Sequence, residues 1–207
     1  MAQSHLFIID GDITQLQCDA WLLPTDSNYS ITKAFAPVLG MARPGKAPAQ
    51  YRKAFHKHCV LAIPSRKRRG SDSRTPDVWL GEIGGTRRTP VHQFARRAAS
   101  FVRQAGEVAN LRASDHPDRV PLIALGVVGS GAGGQRSRRG ELLNALLPEI
   151  LKAGREVGCD VVLVTYGPVM YTAAQRARKA LPDTSQVWAD LPLSLQGTAD
   201  EIGRAHV

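Results

Sequence analysis

Residues 120–134 read VPLIALGVVGSGAGG, an almost continuous apolar run that ends in a glycine-rich segment. A run of this kind, bounded by turn residues, is typical of an interior strand that is covered on both faces of its sheet. Residues 141–157 place leucine and isoleucine at helical spacing along one side, which predicts a long amphipathic helix. The chain therefore contains a unit of strand, glycine-rich loop and helix.

The segments on both sides of this unit continue the alternation of strands and helices. Residues 160–165 (DVVLVT) predict a second buried strand, and residues 170–181 predict a helix after it. Before the unit, residues 89–110 predict a helix with Thr89 as its N-cap and Pro90 in its first turn. Because strands joined through helices pair in parallel, we predict an α/β fold, a three-layer α/β/α sandwich with a central mixed, mostly parallel sheet.

The first half of the chain predicts four further strands. They cover residues 6–10 (LFIID), 19–24 (DAWLLP), 58–64 (HCVLAIP) and 77–83. The last two flank the polar, turn-rich residues 65–76, which predicts a hairpin. Residues 25–45 predict loops around at most one short helix, and residues 49–58 predict another helix.

Length and composition fit one globular domain. The 207 residues, 43% hydrophobic and 22% charged, can bury one sizeable core. We expect the domain to cover residues 1–185, and residues 186–207 to be a tail or the start of a linker helix to a further domain. No apolar run approaches the roughly 20 residues that span a bilayer, and the first residues lack a signal pattern. We therefore expect a cytoplasmic protein that does not contact membranes.

Residue types that bind metals stand apart in this sequence. Cys18, Cys59 and Cys159 lie far from one another beside apolar residues, so we expect small buried side chains rather than ligands. His56 and His58 have no carboxylate or cysteine at ligand spacing. The sequence therefore predicts no metal site and no cofactor.

The net charge of +9 is concentrated in one region. Residues 43–103 hold 15 lysines and arginines against three acidic residues, a net charge of +12, which leaves −3 for the rest of the chain. A basic region attracts phosphate groups on a nucleotide, a nucleic acid or an acidic partner. Nucleic-acid binding through Arg66–Arg69, Arg87 and Arg88 is therefore one alternative, although few aromatic residues accompany these clusters.

The segments that follow the predicted strands are candidates for ligand binding, because α/β sheets bind ligands beyond the carboxyl ends of their strands. Backbone N–H groups of residues 129–134 can converge on a phosphate. The Asp12 carboxylate can accept a hydrogen bond from an exocyclic amine, and Tyr166 can stack on a base. Each feature also has a structural explanation as a connection, an Asx-turn or an exposed aromatic. Arginines near the loop can add charge-assisted contacts, namely Arg136, Arg138 and Arg139.

Gly11-Asp12-Ile13-Thr14, followed by Asp19-Ala20 at the start of a buried strand, resembles the first-strand motif of macrodomains. The later strand, glycine-rich loop and helix resemble that family's second phosphate-binding loop, and the order of elements agrees over residues 6–181. The resemblance implies a module that binds ADP-ribose or a related NAD-derived nucleotide. It implies that Asp12 contacts adenine, that Ile13 offers its backbone N–H, and that Tyr166 stacks on adenine. The diphosphate is expected at Gly129, Ser130, Gly131, Ala132, Gly133 and Gly134.

Two segments depart from the family's pattern. Leu23-Pro24-Thr25-Asp26 stands where macrodomains often have Asn-Ala-Ala-Asn, so Asp26 replaces the asparagine that commonly orients the distal ribose. The glycine-rich first loop is missing, since residues 27–45 contain only Gly40 and Gly45. These departures favour a binding or sensor module over an enzyme. The alternative is an ADP-ribosyl hydrolase in which Asp26 is a general base that directs water at the anomeric carbon, although Asp26 is also a common turn residue.

The opening motif also resembles bacterial proteins in which a macrodomain-like module precedes a sirtuin-like NAD-hydrolysing domain in phage defence. The resemblance implies a sirtuin-like effector domain as the partner in a longer protein, and a role in bacterial anti-phage defence. It is an analogy of sequence and not of site chemistry.

Overall fold

The described part of the chain forms eight strands and three long helices. The computed structural model describes residues 4–26, 28–47, 60–62, 76–82, 89–113, 119–129 and 138–181, with the backbone alone for 60–62. The strands are β1 (Leu6–Asp10), β2 (Ala20–Thr25), β3 (Ser30–Ile31), β4 (Gly45–Lys46), β5 (Val60–Ala62), β6 (Asp77–Glu82), β7 (Leu122–Gly126) and β8 (Asp160–Thr165). The helices are α1 (Val91–Arg112), α2 (Arg139–Val157) and α3 (Pro168–Lys179), and two 3-10 turns cover Ile13–Gln15 and Pro37–Leu39.

Six of these strands form one central sheet in the order β1-β8-β7-β2-β6-β5. All neighbours pair in parallel except β5 and β6, which are antiparallel. The parallel pairing of β7 and β8 follows from helix α2, which returns the chain between them. The predicted mostly parallel sheet and the predicted β5–β6 hairpin are both confirmed.

Both faces of the sheet are covered, because successive strand residues point to opposite faces. In β2, Ala20 and Leu22 belong to the core cluster that contains α1 and α2, whereas Trp21 and Leu23 belong to the cluster on the other face. The second cluster is completed by the two 3-10 turns and the β3–β4 hairpin. The α/β sandwich is therefore confirmed. The largest fully buried side chains of the two helices are Phe94, Phe101, Leu142, Leu143, Leu146 and Leu147.

Strands β2 and β7 are joined only near their first residues. Only two residue pairs are in register between them, Ala20 with Ile123 and Trp21 with Ala124. Asp19 closes this end: its N–H donates to the Leu122 carbonyl at 2.9 Å, and its Oδ2 accepts from the Leu122 N–H at 2.8 Å. The later halves of the two strands are unpaired with each other, which leaves a crevice in the sheet.

The sequence-based boundaries differ from the structure at several elements. Helix α1 begins at Val91, and Pro90, not Thr89, is its N-cap; the prediction of Thr89 was wrong because Pro90 keeps an extended ψ of 139°. The β3–β4 hairpin, which pairs Ser30 with Lys46 and Ile31 with Gly45, was not predicted. The predicted helix over 49–58, the loop over 65–76 except Pro76, and the tail over 186–207 lie outside the described residues. None of the described helices is long and apolar enough to cross a bilayer.

Candidate functional site

A cavity of about 620 Å³ lies at the carboxyl ends of β1, β8, β7 and β2. It occupies the crevice where β2 and β7 separate. This crevice is also a topological switch point, because after β2 the chain continues to the β6 side of the sheet and after β7 to the β8 side. Ligands of open α/β sheets bind at such switch points, and the volume is in the range of small-molecule sites. The apolar wall includes Leu22, Pro24, Phe35, Val127, Val128, Val164 and Met170, and the polar wall includes Asp12, Thr14, Asp26, Ser30, Thr32 and Thr165.

Asp12 is the N-cap of the 3-10 turn that follows β1. Its Oδ1 accepts the Thr14 N–H at 2.9 Å and the Thr14 hydroxyl at 2.8 Å, while its Oδ2 has no partner among the described residues. Ile13 is the first residue of that turn, so its N–H has no acceptor within the turn. Both residues line the cavity. One carboxylate oxygen and one backbone N–H are therefore available to a bound molecule.

Asp26 lies at the opposite side of the cavity, after β2. Its Oδ1 accepts the N–H groups of Asn28 at 2.9 Å and Ser30 at 2.8 Å, and its carbonyl accepts the Tyr29 N–H at 2.9 Å. Tyr29, in this turn, adopts a φ of +59°, which is uncommon for a residue other than glycine. Asp26 is thus both the turn former considered from the sequence and a residue of the cavity wall.

Tyr166 follows β8 and is 90% exposed, and it also lines the cavity. The adjoining Gly167 donates its N–H to Oδ1 of Asp10 at 2.7 Å. Sequence reasoning missed Asp10, although an acidic residue at the end of an apolar strand is visible in LFIID. Phe35 and Met170 were also missed, because nothing in the sequence indicates that their segments meet at this cavity.

The start of the glycine-rich loop reaches the cavity through Gly129. Gly129 has a φ of +80°, and an added Cβ would lie 3.0 Å from the Phe94 ring, so the backbone conformation and the neighbouring ring both favour glycine. Ser130, Gly131, Ala132, Gly133 and Gly134 lie outside the described residues, as does Arg136.

Comparison with solved structures identifies this architecture. The Oceanobacillus iheyensis macrodomain with ADP matches at a TM-score of 0.60 and 15% identity, over 86% of this chain and 92% of that chain. A point mutant of the same macrodomain with ADPR matches at 0.59 and 16% identity, over 86% and 94%. The chain has the macrodomain fold. No model of a protein family matches the sequence, and no curated protein matches it.

Two arginines lie at the start of helix α2 of this macrodomain fold, Arg138 as its N-cap and Arg139 as its first residue. Arg138 donates to Glu141 through Nη2 at 2.5 Å and Nε at 3.0 Å. These hydrogen bonds raise the pKa of Arg138 and lower that of Glu141. The Arg139 Nε is buried and has no hydrogen-bond partner among the described residues. Arg138 is therefore already engaged with an acid of its own helix.

The described cysteines of the macrodomain fold are buried and poorly reactive. Cys18 and Cys159 are free and buried, and burial raises the pKa of each thiol to about 12. A thiol with so high a pKa is a poor nucleophile at neutral pH. Cys59 and the basic clusters Arg66–Arg69, Arg87 and Arg88 lie outside the described residues. Within the described ranges, no group of three or more histidine, cysteine or acidic side chains is arranged to hold a metal ion.

Proposed function

We propose that this chain is a binding or sensor module for ADP-ribose or a related NAD-derived nucleotide. The observation that carries the proposal is the placement of Asp12 and Tyr166 at one side of the switch-point cavity and of Asp26 at the other. An acceptor carboxylate beside an exposed aromatic ring suits a purine base with an exocyclic amine.

The length of the cavity supports a ligand with two ends. β8 and β7 lie between β1 and β2 in the sheet, so the strands that lead to Asp12 and Asp26 are three strand spacings apart. At about 4.8 Å a spacing, this separation is about 14 Å. A base at one end, a sugar at the other and a diphosphate between them have a comparable length.

The middle of the cavity supports a diphosphate. Gly129 lines it at the end of β7, and the glycine-rich residues 130–134 follow directly in the sequence. Glycines allow backbone N–H groups to approach phosphate oxygens closely. Two solved structures with the same fold hold ADP and ADPR, which agrees with this assignment.

Calorimetric titration tests the proposal. We expect ADP-ribose to bind, and we expect ADP and NAD to bind with different affinities because they share only parts of the ligand. The variant Asp12→Ala should weaken binding, whereas Glu107→Gln, which removes an exposed acid of α1, should not. Failure of the wild-type chain to bind any of these nucleotides would refute the proposal.

The enzymatic alternative uses Asp26, on the side of the cavity opposite Asp12. The Oδ2 of Asp26 has no hydrogen-bond partner among the described residues, so it is free to contact a water molecule. The two backbone bonds to Oδ1 agree better with a fixed acceptor for ribose hydroxyl groups. Release of ADP-ribose from an ADP-ribosylated substrate, lost in Asp26→Asn, would favour the hydrolase over the binding module.

Two wider proposals rest on the sequence alone. The basic residues 43–103 suggest nucleic-acid binding as a second alternative, which a steep loss of binding with rising salt would support.

The opening motif suggests a sirtuin-like effector partner and a role in bacterial anti-phage defence. Phage challenge of cells that carry the wild-type gene or its Asp12→Ala variant tests that role, because a sensor that cannot bind its ligand should not protect.

A further inference from the structure

The end of β1 is tied to the loop that carries Tyr166. Oδ1 of Asp10 accepts the Gly167 N–H at 2.7 Å and lies 3.3 Å from the Thr165 hydroxyl. The Gly11 N–H donates to the Thr165 carbonyl at 3.0 Å, and Asp10 and Thr165 are partners in the parallel register. The backbone is therefore fixed on both sides of Tyr166.

Gly167 has a conformation that only glycine adopts readily. Its φ of +88° and ψ of 153° belong to a region that is closed to other residues. An added Cβ would meet nothing within 4 Å, so the requirement comes from the backbone angles and not from crowding. The hydrogen bond to Asp10 holds this residue at the N-cap of α3, where its carbonyl accepts the Tyr171 N–H at 3.2 Å.

The Tyr166 side chain has little packing of its own. It is 90% exposed, and among the described residues no aromatic ring stacks with it. The direction of its Cα–Cβ bond is therefore set by the backbone of residues 165–167. Asp10 itself does not line the cavity, whereas Tyr166 does.

We propose that Asp10 is a positioning residue of the nucleotide site, which holds Gly167 in the conformation that aims Tyr166 at the cavity. The inference rests on the proposed function, since Tyr166 matters only if a base binds there. Asp10 acts through the Tyr166 backbone and not through the ligand. A rigid aromatic platform binds a base with less loss of conformational freedom than a mobile one.

The first test uses the protein without any ligand. Amide hydrogen exchange, followed by NMR, should show that the Gly167 N–H is protected in the wild type. In Asp10→Ala we expect its exchange to accelerate at least tenfold, with partial rescue in Asp10→Asn, whose amide oxygen can still accept. Unchanged protection of Gly167 in Asp10→Ala would overturn the proposal.

Asp160 provides a matched control on the same pair of strands. Its Oδ1 accepts the His5 N–H at 2.7 Å and lies 3.1 Å from the His5 Nδ1, at the end of β1 and β8 that is far from the cavity. Asp160→Ala removes an equivalent bond, so it should affect stability in the same way while leaving Gly167 exchange and nucleotide binding unchanged. Equal effects of the two variants on Gly167 would show a general loosening of the strands and would overturn a positioning role.

The second test is a double-mutant cycle with ADP-ribose as the probe. We expect Asp10→Ala to raise the Kd about tenfold in the wild-type background and less than twofold in the Tyr166→Ala background, because no ring is left to position. If the Kd of the double variant rose by the product of the two single increases, Asp10 would act independently of Tyr166, and the proposal would be overturned. Absence of binding by the wild type would refute the proposed function, and the exchange experiment would still decide whether Asp10 fixes Gly167.

Discussion

Asp12 and Asp26 are held by the same kind of local contact. In each carboxylate, Oδ1 accepts two hydrogen bonds from the turn that follows, and Oδ2 has no partner among the described residues. The sequence left two explanations open for each residue, a turn former and a ligand contact. The structure makes the two compatible, because they use different oxygen atoms of the same carboxylate.

Asp12→Asn separates these two roles. The amide oxygen can still accept from Thr14, so the cap should survive and the Tm should stay within about 2 °C of the wild type. The amide NH₂ would replace Oδ2 and face the exocyclic amine of a base, donor against donor. We expect the Kd for ADP-ribose to rise about tenfold or more, measured by calorimetry.

Thr14→Val is the converse control for the cap. It removes the hydroxyl that donates to Oδ1 of Asp12 at 2.8 Å and leaves the carboxylate intact. Thr14 also lines the cavity, but the base is expected to contact the Asp12 carboxylate, so stability should fall slightly and the Kd for ADP-ribose should rise less than in Asp12→Asn. If Asp12→Asn bound ADP-ribose as tightly as the wild type, Asp12 would be a cap and nothing more.

Tyr166 allows the ring and the hydroxyl to be tested separately. Because the side chain is 90% exposed, neither Tyr166→Phe nor Tyr166→Ala should alter the Tm appreciably. Stacking on a base needs only the ring, so Phe should retain the affinity for ADP-ribose and Ala should lose about tenfold or more. Equal losses in the two variants would indicate that the hydroxyl, and not the ring, makes the contact.

Helix α2 meets the sheet closely at one glycine and is open at another. A Cβ on Gly154 would lie 2.7 Å from Oγ of Ser4 and 2.9 Å from the Cys159 carbonyl oxygen. Backbone atoms cannot move aside easily, so we expect Gly154→Ala to lower the free energy of unfolding by about 1–3 kcal/mol, measured by urea denaturation.

Gly140 is the matched control in the first turn of the same helix. A Cβ there would meet none of the described atoms within 4 Å. Since alanine favours helix more than glycine does, Gly140→Ala should leave stability unchanged or raise it by up to about 1 kcal/mol. A destabilising Gly140→Ala together with a neutral Gly154→Ala would contradict the described packing of α2.

The sequence predicted long elements well and short ones poorly. Strands β1 and β8 have the predicted bounds, because each is an apolar run that ends at a polar or glycine residue. The β3–β4 hairpin has two residues in each strand, too few to show any periodicity. The start of α1 was misplaced because Thr89-Pro90 looks like a cap and its proline, whereas Pro90 itself is the extended residue before the helix.

The site is assembled from segments that lie far apart in the sequence. Asp10 and Gly167 are 157 positions apart, and only the parallel pairing of β1 and β8 brings them together. Strand ends predicted which loops meet, since the carboxyl ends of parallel strands share one edge. The contribution of Phe35 depends on how residues 32–36 fold against Trp21, with ring centroids 5.9 Å apart, and no local pattern encodes this contact.

The buried thiols predict how the whole molecule responds to alkaline pH. Burial raises the pKa of Cys18 and Cys159 from about 9 to about 12, so the folded state binds these protons more tightly than the unfolded state. Their contribution to stability is fully present below pH 9 and is lost as the pH rises toward 12. We expect the free energy of unfolding to fall less steeply above pH 9 in a Cys18→Ala, Cys159→Ala variant than in the wild type. Identical slopes would show that neither thiol is buried in solution.

The incomplete pairing of β2 and β7 has a mechanical consequence. A sheet owes its stiffness to the rungs between neighbouring strands, and here the rungs stop after Trp21 and Ala124. A molecule that spans from Tyr166 to Asp26 would bridge the gap between β2 and β7, and its contacts would take the place of the absent hydrogen bonds. Without a ligand, the two parts of the sheet on either side of this gap should therefore move relative to each other. A bound molecule should make both parts more rigid at the same time.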